Sequence, residues 1–250
     1  MKMPTLSRWT LLIALGMLTG CYPVRDTSRP PAMKMLPGTA SAHTLVIVLP
    51  GIADNLASLE AGGIGTAVHD AWPDADVLLV EMTIGYYKNS RMLPALHDVV
   101  SSAKGKGYRH VWLVGASLGG MGALLYDTAW PDQVEGIVLL APFLGEDSML
   151  AEIRSAGGLT RWTAPAPATP GPGNWQAQIW RRAKAWASRP DGDPRVWLAY
   201  GDRDKFAPNM PLLAPAVPRE HIVTGSGVHE WTSWTPLAAK VFAAVHRTSD

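Results

Sequence analysis

Among its 250 residues the chain has a single cysteine, Cys21. One thiol excludes an intrachain disulfide framework, and no clustered His and Cys spacing suits zinc. Phosphate-cradling loops are absent too, since neither GxGxxG nor GKS/GKT occurs. No cofactor or metal is expected. Charge of one sign is also lacking: the formal net charge is +1, with 17% charged residues. That balance gives no electrostatic footprint for nucleic acid or for anionic headgroups. Phenylalanine is scarce, 3 residues against 11 tryptophans, and Trp162, Trp175, Trp180, Trp186, Trp231 and Trp234 crowd the C-terminal part. Indoles there either line a pocket or fill the core in place of other aromatics. With 47% hydrophobic residues the chain has enough apolar surface for one globular domain.

Long hydrophobic runs are missing as well. The longest N-terminal one, residues 9–18, follows Lys2 and Arg8 and is too short to cross a bilayer as a transmembrane helix. Positive start, short apolar run and small residues make residues 1–20 a signal peptide. The ending Leu18-Thr19-Gly20-Cys21 resembles the bacterial lipoprotein lipobox. That resemblance implies lipidation of Cys21 and a membrane partner reached through the lipid anchor. Localisation is then expected at the bacterial cell envelope, on the outer membrane facing the periplasm if the source is Gram-negative, because Tyr22 rather than Asp follows. Residues 21–42, with Pro23, Pro30, Pro31 and Pro37, read as the anchored cysteine and a flexible tether.

From residue 43 to 250 a single α/β domain is expected. Continuous Val/Leu/Ile runs at 43–49, 76–82, 110–114, 134–140, 195–200 and 220–224 have the character of parallel strands buried on both faces. Helix-like segments at 56–71, 92–105, 118–130, 210–213 and 235–245 alternate with them, which predicts a three-layer sandwich around a mostly parallel sheet of about six strands. Between 143 and 194 no strand is legible, and Pro165, Pro167, Pro170 and Pro172 interrupt the pattern. An insertion there is expected to act as a cap.

The chemistry concentrates in Gly115-Ala116-Ser117-Leu118-Gly119-Gly120. GxSxG alone is a weak signal, but here it joins a predicted strand to a predicted helix. At such a turn small neighbours permit a strained backbone that exposes the serine hydroxyl, and the helix N-terminus offers donors to a developing oxyanion. This arrangement is similar to that of the α/β-hydrolase superfamily over roughly residues 45–245. The resemblance implies a nucleophile, an acid and a histidine in that chain order. Ser117 is then the nucleophile. The acid falls in Gly201-Asp202-Arg203-Asp204, where the family's Gly-x-x-Asp spacing favours Asp204 and leaves Asp202 to hold the turn. The base is His229, in the loop after the last strand. Backbone N–H groups of Leu118 and Ile52 would form the oxyanion hole, since Pro50 has no N–H to donate, with Ala53 as the alternative to Ile52. A small-molecule ester or acyl compound is the implied substrate. Two other functions stay open on sequence grounds: an envelope acyltransferase with the same three residues, and a non-catalytic lipid-anchored binding module on a hydrolase scaffold.

Overall fold

Apolar runs with no polar alternation need cover on both faces, and the sheet has it. A computed structural model describes residues 26–39 and 41–249. The expected signal peptide 1–20, Cys21 and the first residues of the tether lie outside the described residues. Strands β1 (Met33–Leu36), β2 (Thr44–Leu49), β3 (Asp76–Val80), β4 (His110–Ala116), β5 (Gly136–Leu140), β6 (Val196–Gly201) and β7 (Ile222–Gly225) form one sheet. Their order is β1-β3-β2-β4-β5-β6-β7. All pairs are parallel except β1 with β3.

Alternate residues of one strand feed opposite layers. In β2, Leu45, Ile47 and Leu49 join the core under α4 (Met92–Gly105), α5 (Leu118–Ala129), α6 (Asp147–Ser155) and α7 (Trp175–Ala187). Val46 and Val48 join the other core, under α1 (Leu56–Ala61), α2 (Ile64–Ala71) and α9 (Trp231–Ser249). Truncating a central side chain such as Leu113, fully buried, to alanine would cost about 2–5 kcal/mol. The short helices α3 (Ile84–Lys88) and α8 (Met210–Leu213) complete the α-helices among the described residues, and 3-10 turns lie at Ala207–Asn209, Ala214–Ala216 and Arg219–His221.

The architecture is the mostly parallel three-layer sandwich expected, with three corrections. First, seven strands are present among the described residues rather than about six. The extra one, β1, lies inside the expected tether 21–42, where the Met-Lys-Met-Leu run is mostly exposed and too short to stand out among the prolines. Main-chain pairing holds it to β3, and upstream residues are bound as well. Asn89 Nδ2 donates to Thr27 Oγ1 at 2.9 Å and Tyr86 Oη to the Arg29 carbonyl at 2.8 Å, so the packed domain begins before residue 33. Second, the helix expected over 56–71 breaks in two. Gly63 adopts φ 72°, and a Cβ on Gly62 would collide with the Trp231 ring. Third, much of the 143–194 segment belongs to the sandwich itself. Trp180 and Trp186 on α7 are wholly buried, and the Trp180 indole N–H donates to the Leu144 carbonyl at 2.9 Å.

Candidate active site

Parallel strands point their C-terminal ends at one edge of the sheet, the edge where ligands bind in open α/β folds. Ser117 follows β4, Asp204 follows β6 and His229 follows β7, so three segments far apart in sequence arrive at that edge. The loop after β2, with Ile52, arrives beside them.

The turn at Ser117 is forced by its neighbours. Ser117 has φ 51° and ψ −110°, a conformation that an L-residue holds only when the surroundings over-determine it. Its N–H donates to the Leu140 carbonyl at 2.9 Å, and its carbonyl accepts the Phe143 N–H at 2.9 Å, which pins the turn to the end of β5. The flanking glycines are required by contact: a Cβ on Gly115 would strike the Gly119 carbonyl, and one on Gly119 would strike the Leu49 carbonyl. The tight turn in turn projects the hydroxyl out of the helix axis.

The side chains meet in a line. His229 Nε2 lies 2.9 Å from Ser117 Oγ, and His229 Nδ1 lies 2.7 Å from Asp204 Oδ1. Asp204 is inaccessible to solvent in its side chain. Burial alone would raise its pKa, but hydrogen bonds from His229, the Phe206 N–H and the Trp234 indole outweigh it and hold the carboxyl below its ordinary value. Asp204 Oδ1 accepts the Phe206 N–H at 2.9 Å, and Oδ2 accepts Trp234 Nε1 at 3.2 Å. The imidazole is clamped edge-on by Phe206 and Trp234, each with its ring centre 4.7 Å away.

Asp202 does something else. It is exposed and its Oδ1 accepts the Gly227 N–H at 3.1 Å, which ties the turn after β6 to the loop that carries His229. Ser233 fixes the other side of that loop by accepting the Val228 N–H at 2.9 Å. Near Ile52, the Gly51 N–H is occupied by Asp54 Oδ2 at 2.8 Å, whereas the Ile52 N–H has no partner among the described residues. The Leu118 N–H opens α5, where first-turn donors have no intrahelical acceptor. Asn55 caps α1 through a reciprocal pair with Ser58, and no group of His, Cys, Asp or Glu among the described residues is arranged to hold a metal.

Ser233 and the whole of α3 carry no signal in the sequence, and for Trp234 and Asp54 the sequence marks the residue but not its contacts. Trp231 and Trp234 stood within five residues of His229, which was the available signal. A cavity of about 600 Å³ opens beside Ser117. Ile84 and Tyr87 of α3, Met121 and Leu125 of α5, and Phe143 and Trp175 of the 143–194 segment form much of its wall.

A mostly parallel sheet that delivers serine, carboxylate and histidine in this order from the ends of β4, β6 and β7 makes the protein an α/β-hydrolase. Residues 86–242 match the Esterase family model, and the chain belongs to that family as a carboxylesterase-like hydrolase. Among curated proteins none matches the sequence. Solved structures share the fold at low identity. A monoacylglycerol lipase from Paleococcus ferrophilus is 14% identical with TM-score 0.56, covering 87% of this chain and 100% of that one. The S-formylglutathione hydrolase of Staphylococcus aureus is 11% identical with TM-score 0.56, over 87% and 98%. Est1E from Butyrivibrio proteoclasticus, solved with ferulic acid bound, is 16% identical with TM-score 0.54, over 87% and 94%.

Proposed function

We propose that the protein cleaves a carboxylic ester through an acyl-enzyme intermediate on Ser117. The carrying observation is the line of two short hydrogen bonds from Ser117 Oγ through His229 to Asp204, at 2.9 and 2.7 Å. With its proton on Nδ1, held by Asp204, His229 presents a lone pair at Nε2 to the serine hydroxyl. As Oγ attacks the ester carbonyl, His229 accepts its proton; it then returns that proton to the departing alcohol. The carbonyl oxygen gains charge as Oγ attacks and loses it as the alcohol departs, and the N–H groups of Leu118 and Ile52 are the donors assigned to it. Water repeats the sequence on the acyl-enzyme and regenerates Ser117.

A fluorescent fluorophosphonate applied to the purified protein tests the assignment. Labelling is expected in the parent and absent in Ser117→Ala, whose kcat falls on the order of a millionfold. Turnover that survives in Ser117→Ala would remove Ser117 as nucleophile.

The same reading puts the enzyme at the bacterial cell envelope, anchored by lipid on Cys21. Its support is the segment Leu18-Thr19-Gly20-Cys21. Incorporation of a palmitate analogue, lost in Cys21→Ala together with recovery in the membrane fraction, is the expected result. Equal membrane recovery of the two proteins would overturn it.

A further inference from the structure

We propose that the cavity beside Ser117 takes a straight aliphatic acyl chain of about eight to ten carbons, making the protein a medium-chain esterase. The proposal rests on the ester-hydrolase reading above and goes on to the substrate's identity.

Length comes from the helix that starts at the serine. Leu118, Met121 and Leu125 all line the cavity, and their spacing of three and then four residues puts them on one face of α5. Seven residues at the α-helical rise of 1.5 Å carry that wall about 10 Å away from the nucleophile. A chain in its staggered, extended form advances about 1.3 Å per methylene, so about eight methylenes reach Leu125. An acetyl or butyryl group would leave most of this apolar wall uncovered.

Chemistry comes from the remaining walls. Ile84, Leu93, Phe143 and Trp175 present carbon, while the charged side chains that border the cavity, Lys88, Glu146 and Lys205, are all exposed and so belong to its mouth. The hydroxyl of Tyr87 is buried without a partner, and a Cβ on Gly122 would overlap it. It therefore turns into α5 and not toward an occupant. A phenolic acid would find no deep donor or acceptor for its ring hydroxyl, and such groups are costly to bury unpaired. An alkyl chain loses nothing there.

The acyl half, rather than the alcohol half, is assigned by His229. Its Nε2 must face the leaving oxygen to protonate it, yet His229 is not part of the cavity wall, whereas Ser117 and Leu118 are. The group that stays on the serine therefore enters the cavity and the alcohol leaves on the histidine side.

The test is a series of p-nitrophenyl esters from acetate to palmitate, kept below their micellar concentrations, with the purified protein. Each buried methylene is expected to raise kcat/KM about two- to fourfold, giving at least about a tenfold rise from butyrate to octanoate. The gain should stop near decanoate. Acetyl esters of hexanol, octanol and decanol should give a flat profile. In Leu125→Trp, which fills the far end, the decanoate-to-butyrate ratio is expected to drop about tenfold. Best turnover on acetate, better turnover on a cinnamate ester than on octanoate, a rise along the alcohol series, or an unchanged ratio in Leu125→Trp would each overturn the proposal while ester hydrolysis stands. Absence of turnover on every ester, acetate included, would instead defeat the ester-hydrolase reading and take the chain-length proposal with it.

Discussion

The carboxylate of Asp54 joins Trp231 across the site: its Oδ2 accepts the Trp231 indole N–H at 2.9 Å while holding the Gly51 N–H at 2.8 Å. One oxygen thus connects the loop of Ile52 to the start of α9, two residues past His229. Both the assigned oxyanion donor and the assigned base are referenced to the same point.

Breaking that link should slow turnover more than it weakens binding. Trp231→Phe, which removes only the indole donor, is expected to lower kcat about tenfold with KM little changed. Asp54→Ala also frees Gly51 and Ser58 and should approach a hundredfold, the cost of misplacing a catalytic group by about 1 Å. Steady-state kinetics on a soluble ester, with the fluorophosphonate labelling rate alongside, measures both. A fall in melting temperature with kcat intact would reduce Asp54 to a purely structural tie.

Trp234 should behave as a positioning residue acting through Asp204. In Trp234→Phe the Oδ2 of a fully buried carboxylate loses its indole donor. Hydrogen bonds to charged groups are worth about 1.5–3 kcal/mol, so a drop of about tenfold or more in kcat is expected. Because that bond also favours the ionised carboxyl, the acid limb of the stability profile should move to higher pH in the variant. Loss of activity without that movement would point to packing alone.

Acid should destabilise the fold through at least two carboxylates. Asp204 and Asp193 are both held below their ordinary pKa; burial opposes this in each, and it is outweighed by His229 and its companions for Asp204 and by Arg195 and Arg189 for Asp193. A depressed folded pKa means that the unfolded chain binds the proton more readily. The stabilisation is therefore complete above the ordinary carboxylate value, about pH 4, and disappears as pH falls through the folded values. Melting temperatures measured from pH 7 to pH 3 should hold level and then fall, and the fall should be shallower in Asp193→Asn.

Ser117→Gly and Ser117→Ala should part company in stability. Both lack the hydroxyl, but alanine keeps the strain of φ 51° whereas glycine relieves it. Relief of about 1–3 kcal/mol exceeds the roughly 0.4–1 kcal/mol that glycine's unfolded-state freedom costs. Ser117→Gly should then melt a few degrees above Ser117→Ala. Equal melting temperatures would mean that the turn is not strained.

What the sequence reveals follows burial. Strands β2, β4 and β5 are covered on both faces and are legible as unbroken apolar runs, and α5 is legible because the GxSxG turn fixes its start. Strand β1 is invisible for the opposite reason: it is four residues long and mostly exposed, with only Leu36 reaching the core and Lys34 pairing with Glu60 at the surface. Helix α3 is five residues long and lacks a side-chain cap, so neither period nor capping signals it, although Ile84 and Tyr87 shape the cavity. Asp202 and Asp204 differ by two positions in sequence; the fold separates them by burial, one exposed and the other sealed beneath His229. The contact from Trp234 to Asp204 joins residues 30 apart and has no local signature.

The hydrogen bond between His229 and Ser117 spans 112 residues of chain. Synthesis delivers the serine long before the histidine, and β6 and β7 must both dock before the two can meet. A nascent or truncated chain accordingly carries an ordinary, unreactive serine. On the proposed mechanism, reactivity is the last property this polypeptide acquires as it is made, and a covalent probe for Ser117 would count finished molecules rather than chains.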